Sequence, residues 1–378
     1  MKRLATYLIA LFSTLCVAAQ DMQADSVTLT LPTDVYAYYV TVTPGNTFTT
    51  MLGHAALRMQ CPSAGLDYCF TVKAPEIGNE FTAMTLRTLK AGLVPEETPQ
   101  FFQDYISEGR GIDEYPLNLT LQEARTLWRL LDEEVARGLY RNVDYIHNGC
   151  TQQVAIVLFA ALGQRPLRID SVANTLLPYE NRRQILARYM NPSYWKGFVG
   201  HSLYGGTPDE SVYGRAKLIM PADLAAALRQ MELARPATTV AKPTLSTTPP
   251  AFSPLMATAL FLLLCQIPVR HSVVDKVLLI VYSLFALLLC WIVFVSKTPG
   301  TEWNWLLIPF NPLPVLLYKW RGRTFHVLCA VVLLAFLVFM AFNLNRLFFL
   351  EQLLVVTGIL IRVIYHSFNI NLLKQRQV

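Results

Sequence analysis

Residues 35–59, VYAYYVTVTPGNTFTTMLGHAALRM, read as strand, turn and strand. The run 35–42 alternates and is rich in β-branched and aromatic residues. Pro44-Gly45-Asn46 is a turn signal. His54 to Met59 returns to a strand pattern, and DYCFTV (67–72) adds a third. Helical signals come later in the chain. Thr120 and Glu123 form a capping box, followed by Leu127, Leu130, Leu131 and Val135 at helical spacing up to Arg137. YRNVDYIHNGCTQQVAIVLFAALG (140–163) holds a polar approach, then Cys150, then an apolar helix stopped by Gly163. Strands first and helices afterwards predict an α+β domain over residues 20–235.

Composition divides the chain further. Of 378 residues 53% are hydrophobic and only 15% charged, below the roughly 25% charged of an ordinary soluble domain. The net charge of +6 is uneven: ten basic and three acidic residues follow residue 250, against 22 and 23 before it. A basic excess confined to an apolar half suits membrane topology, and no basic cluster with interleaved aromatics points to nucleic acid. Lys2 and Arg3, the apolar run 4–17 and Val17-Ala18-Ala19 read as a signal peptide, residues 1–19. PATTVAKPTLSTTPPAFSP (236–254) reads as a Pro/Thr linker, its core 236–251. Apolar runs at 255–269, 277–295, 325–342 and 348–365 read as membrane spans, with a Pro-broken fifth at Trp303 to Tyr318. The positive-inside rule favours five, because Arg270, Lys276, Lys319, Arg321, Arg323, Lys374 and Arg376 then share the cytoplasmic side. The expectation is therefore an all-α five-helix transmembrane bundle over 252–368 in the bacterial inner membrane. A cytoplasmic tail, 369–378, and a periplasmic domain go with it.

Seven cysteines are present. Cys16 leaves with the signal peptide, and Cys265, Cys290 and Cys329 fall in apolar runs. Cys61 and Cys69 flank a turn with Pro62 and Gly65, which in an oxidising compartment reads as a short disulfide loop. Cys150 is then the odd thiol, either a buried structural residue or a nucleophile. Its place before an apolar helix favours a thiolate, through the helix dipole and orphan N–H groups, with Thr151 or Asn148 as caps. A thiolate there attacks carbonyl carbon, and nearby N–H groups hold the oxyanion. The base is one of His54, His147 and His201. His54 follows Gly53 at the start of a strand and is favoured. No ligand spacing for a metal, no Gly-rich phosphate loop and no cofactor motif appears.

The stretch VTPGNTFTTMLGHAALRM (42–59) resembles the first signature of the Lnb family of lipoprotein N-acyltransferases. LKAGLVPEETPQFFQDYISEGRGIDEYPLNLTLQEA (89–124) is similar to its middle segment, and YRNVDYIHNGCTQQV (140–154) to its approach to the nucleophile. Gly149 stands where that pattern leads one to expect Asn, which moves interest to Asn148. The resemblance implies a circularly permuted NlpC/papain-like domain with His54 as base and Cys150 as nucleophile. On position alone Asp67 or Tyr68 is the third, orienting group, and Arg58 is either a surface arginine or holds a carboxylate or phosphate. The implied reaction moves an acyl chain from a membrane phospholipid, through a Cys thioester, to the α-amino group of a diacylated lipoprotein.

Two other readings stay open from sequence. One is a membrane-tethered peptidoglycan peptidase or amidase of the NlpC type. The other is a membrane scaffold with an inactive papain-like domain.

Overall fold

A computed structural model describes residues 33–74, 90–163, 165–190, 194–245, 250–266, 272–296, 298–310, 323–342 and 350–375. The predicted signal peptide, 1–19, lies outside them. Val35–Val378 group as one unit.

The predicted strands form and pair. β1 (Tyr36–Val42), β2 (His54–Cys61), β3 (Leu66–Lys73), β4 (Lys90–Glu97), β5 (Ile112–Pro116), β6 (Arg141–Asn142) and β7 (Thr238–Ala241) make one antiparallel sheet of order β6-β4-β3-β2-β1-β5-β7. Alternation decides the faces. Ala37, Tyr39, Ala55, Leu57, Met59 and Phe70 join one core with α2 (Leu121–Arg137), α3 (Cys150–Leu162), α4 (Ile169–Leu176) and α7 (Pro221–Gln230). Val40, Val42, Ala56, Cys69 and Ile112 point the other way, onto Phe101 and Tyr105 of α1 (Thr98–Ser107). The capping box of α2 closes in both directions: the Glu123 N–H donates to Thr120 Oγ1 at 3.2 Å and the Thr120 N–H to Glu123 Oε2 at 2.7 Å. Gly138 ends α2 in the left-handed region.

Inside the stretch expected as a linker, β7 adds to the exposed edge of β5, with a bulge between Ile112 and Asp113. Thr239 Oγ1 donates to Asp113 Oδ1 at 2.7 Å, and the Thr244 and Leu245 N–H groups both reach Gly109 O. This strap shields an edge that would otherwise offer unpaired backbone groups.

α5 (Arg182–Met190) and α6 (Trp195–Leu203) follow α4, and α8 (Pro254–Gln266), α9 (Ser272–Cys290), α10 (Arg323–Phe342) and α11 (Leu350–Gln375) complete the described helices. A second core joins Tyr282, Leu289, Phe310, Phe336 and Val356. Buried polar contacts tie this part to α6: Asn304 Nδ2 donates to Ser202 O at 2.9 Å and Gln352 Nε2 to Ser202 Oγ at 2.7 Å.

The α+β class holds, but the predicted five-helix transmembrane bundle does not. Among the described residues no helix is long and apolar enough to cross a membrane. α8 has 13 residues, about 20 Å at 1.5 Å per residue, short of a roughly 30 Å hydrocarbon core. α9 carries Asp275 and Lys276 near its start and gives way to a π-helical turn at Trp291–Val295. α10 opens with Arg323-Thr324-Phe325-His326, and Glu351 and Arg362 interrupt α11. The predicted span at 303–318 begins with a 3-10 turn at Trp305–Leu307, and 311–318 lie outside the described residues. The multi-pass topology and cytoplasmic C-terminus lose their support with the bundle. Arg270, Lys297, Lys319, Arg321, Arg346 and Arg376, whose charges entered that count, also lie outside the described residues.

Candidate active site

The turn before β2 sets the first functional side chain. Gly53 has φ +79°, and a Cβ there would lie 2.9 Å from the Val42 carbonyl oxygen. Only glycine takes this corner without strain. The Gly53 N–H donates to Thr50 O at 3.0 Å, and β2 then begins with His54 opposite Val42. His54 Nε2 meets Thr71 Oγ1 at 2.5 Å. Thr71 is fully buried on β3, paired with Ala56. With Nε2 engaged, Nδ1 is the ring nitrogen left for a second partner. Burial, and then the positive charges of Arg110 and Lys73, lower the His54 imidazole to about 3. The ring is therefore neutral at neutral pH and able to accept a proton.

Cys150 opens α3 behind a closely bonded approach. Asp144 Oδ1 accepts the Ile146 and His147 N–H groups at 2.8 and 3.0 Å, which makes an Asx turn. Gln152 Oε1 accepts the Gly149 N–H at 2.8 Å, while Gln152 Nε2 donates to Ile146 O at 3.0 Å. Gln152, and not Asn148 or Thr151, thus closes the helix start. The half-buried Cys150 Sγ receives backbone N–H groups of Ala55, Thr151 and Cys150 itself. The buried Thr151 hydroxyl, with no hydrogen-bond partner among the described residues other than the sulfur it faces, adds to this ring.

The sulfur is held at Ala55, the residue next to His54, so the fold brings the predicted pair to one end of the sheet. Burial raises the thiol, and the N–H donors do not offset it. Burial thus opposes the thiolate expected from the helix dipole and favours a neutral thiol beside a neutral imidazole. Two buried phenols, Tyr39 and Tyr105, lie within electrostatic reach of the sulfur. The Tyr105 ring is 5.7 Å from that of His54, and the Arg110 guanidinium carbon lies 4.7 Å from the Tyr105 ring.

The other predicted residues go elsewhere. Arg58 reaches Asp67 (2.6 and 2.7 Å) and Glu114 (2.8 and 3.1 Å), which uses its charge inside the protein. Burial alone would raise Asp67, but hydrogen bonds from Arg58 and Thr98 outweigh it and hold the carboxyl below its ordinary value. Neither Asp67 nor Tyr68 orients His54: Asp67 binds Arg58, and Tyr68 packs on the main core. Asn148 offers its carbonyl to Gln153 Nε2 at 3.0 Å. His147 pairs with Asp144 at 3.0 Å, and His201 is buried on α6, where Arg183 Nη1 donates to its carbonyl. Cys61 and Cys69 do not form the expected disulfide with each other. In the register Cys69 faces Arg58 and Cys61 faces Leu66, a three-residue offset. That is about 10 Å along a strand, beyond the roughly 7 Å a disulfide tolerates. Among the described residues no group of three or more His, Cys, Asp or Glu side chains could hold a metal ion.

Thr71, Tyr105 and Arg110 were not singled out in the sequence. The period-two pattern of DYCFTV puts Cys69 and Thr71 on one face, which was the available signal for Thr71. Tyr105 and Arg110 reach the site through the packing of α1 and the return into β5, which local sequence does not encode.

No curated protein and no solved structure matches the chain. Residues 25–187, which carry both His54 and Cys150, match the family model described as the Lnb N-terminal periplasmic domain, and it is to this family that this part of the chain is similar.

Proposed function

We propose that the protein is a lipoprotein N-acyltransferase whose periplasmic domain uses Cys150 as nucleophile and His54 as base. The order His before Cys is the permuted NlpC/papain-like arrangement. The observation that carries the reading is the sulfur at the start of α3, ringed by the Ala55, Thr151 and Cys150 N–H groups beside a neutral, Thr71-held imidazole.

His54 takes the thiol proton as Sγ attacks the ester carbonyl of a membrane phospholipid. The N–H groups at the helix start hold the developing oxyanion. The carbon–oxygen bond breaks, His54 returns the proton to the leaving hydroxyl, and a lysophospholipid departs. The acyl chain now sits on Cys150 as a thioester. The α-amino group of a diacylated lipoprotein then attacks it, His54 accepts the amine proton, the carbon–sulfur bond breaks, and the thiol is reprotonated.

The test is mass spectrometry of lipoprotein N-termini from cells that hold this protein as their sole N-acyltransferase. The native protein gives three acyl chains, and Cys150→Ala gives two. Three chains with Cys150→Ala overturn the reading. A peptide adduct on Cys150 in place of an acyl adduct assigns the site to cell-wall peptide cleavage instead.

A further inference from the structure

Arg110 is 2% exposed, and two of its three nitrogens are held. Nε donates to Thr43 O at 2.8 Å and Nη1 to Glu108 Oε2 at 3.1 Å. Nη2 is buried and, among the described residues, has no hydrogen-bond partner. A buried charged donor left unpaired is costly, and proteins keep few of them. The group lies against Tyr105, itself against His54. Two other cations near this part of the sheet, Lys73 and Arg58, are committed. Lys73 is held by Glu96 and Asp104, and Arg58 by Asp67 and Glu114. Among the described residues, Arg110 is thus a buried cation beside His54 with a donor to spare. Its one acidic partner, Glu108, is 51% exposed, and such a pairing yields readily to a better one.

We propose that Arg110 anchors the phosphodiester of the acyl-donor lipid, its Nη2 donating to an anionic oxygen while the scissile ester lies at Cys150. The anion enters from the catalytic side, because the guanidinium is closed to bulk water. A planar fork suits an oxyanion better than a point charge does. The inference rests on the acyl-transfer reading and deepens it: the donor is a phosphate-bearing lipid, and a neutral diacylglycerol is a poor one. It also gives the Thr43 to Gly53 turn a second task, since that segment both places His54 and, through the Thr43 carbonyl, orients Arg110.

The experiment measures binding of a dialkyl ether phospholipid, which cannot be cleaved, to the full chain carrying Cys150→Ala in detergent micelles. A dialkylglycerol with the same chains is the control. The ether phospholipid is expected to bind about tenfold tighter or more, the size of a charge-assisted hydrogen bond. Arg110→Met removes that preference and leaves dialkylglycerol binding unchanged, and Arg110→Lys retains part of it. Glu108→Gln frees Nη1 and tightens the phospholipid alone. Thermal unfolding checks that each variant folds. Should Arg110→Met fail to fold, Glu108→Gln decides, and an unchanged affinity there overturns the proposal. Equal binding of the two lipids, or an equal loss of both in Arg110→Met, also overturns it. Competition by inorganic phosphate as strong as that of the lipid shows a free-oxyanion site and overturns the lipid assignment. The two readings fail separately. Acyl-Cys150 formed equally from neutral and phosphate-bearing donors ends this inference alone. Arg110-dependent phospholipid binding without any acyl-Cys150 ends the transferase reading alone.

Discussion

The His54 imidazole and the Thr71 hydroxyl, 17 residues apart in the chain, meet across β2 and β3 at 2.5 Å. The contact engages Nε2 and leaves Nδ1 as the ring nitrogen for a second partner, which in the proposed reaction is the Cys150 thiol. Thr71→Val keeps the shape and removes the hydroxyl. The expected result is a loss of about 10- to 100-fold in acylation of Cys150, from a hydrogen bond of about 1–3 kcal/mol lost at a buried group. Affinity for the donor stays near its original value, and Thr71→Ser restores most of the rate. Single-turnover acyl-enzyme formation measures all three, and an unchanged rate in Thr71→Val removes Thr71 from the site.

The neutral Cys150–His54 pair has a signature in thiol chemistry. Burial raises the thiol and lowers the imidazole, which favours the proton on sulfur. Alkylation of Cys150 by iodoacetamide should therefore be slow at pH 7. It should climb about tenfold per pH unit into the alkaline range, as a thiol below its pKa does. His54→Ala should change that profile little. A fast acidic plateau that disappears in His54→Ala would reveal a thiolate–imidazolium pair instead.

Acid should weaken the fold through two histidines. His54 and His201 are both lowered to about 3, chiefly by burial, with Arg110 and Lys73 adding at His54 and Arg183 at His201. An unfolded histidine titrates near 6.5. Between those values the unfolded chain binds more protons than the folded one, so stability is complete above about pH 6.5 and falls as pH drops toward 3. Each histidine contributes up to about 1.4 kcal/mol per pH unit in that window. Urea unfolding at pH 7, 6 and 5 checks the direction, and His201→Gln should flatten the slope. Stability that rises on acidification contradicts the burial of both rings.

Some of this was legible in the chain, and the division follows the range of the interactions. The β1–β2 alternation, the Thr120–Glu123 capping box and the Gly163 stop are local signals, and each forms where the spacing placed it. His54 and Cys150 stand out in sequence because each sits at a punctuated element start, after Gly53 and before an apolar helix, and the fold brings both to one end of the sheet. Thr71 does not, because its meeting with His54 depends on the β2–β3 register, and nearness along the chain favoured Asp67 and Tyr68. At Cys150 the helix start that favours a thiolate is visible in sequence, and the burial that opposes one is not. Hydropathy counted apolar residues after 250 but could not see where regular α-helix gives way, as at the π turn after Cys290.

Gly53→Ala tests how the turn delivers His54. The backbone is left-handed there, and the added Cβ meets the Val42 carbonyl oxygen at 2.9 Å. About 1–3 kcal/mol of stability should be lost to that strain. A backbone shift that relieves it also moves His54, so acylation falls further than the folded fraction explains. Combining thermal unfolding with acylation per folded molecule separates the two effects. An Ala variant with native stability shows that the corner is not strained.

Arg58 tests whether a buried cation near the sheet is structural or ligand-binding. Its guanidinium is 15% exposed and bridges Asp67 and Glu114, and it also lies 5.1 Å from the centre of the Tyr38 ring. Arg58→Met leaves two carboxylates facing each other without a counter-charge, and breaking a buried pair from one side costs about 3–5 kcal/mol. Asp67 is more exposed than Glu114, at 31% against 10%, so Asp67→Asn should cost much less than Glu114→Gln. Phosphate should protect none of these variants, because the fork is already filled from within. Urea midpoints with and without phosphate decide the matter. If phosphate stabilises the native protein and Arg58→Met abolishes that gain, the cluster is an anion site after all.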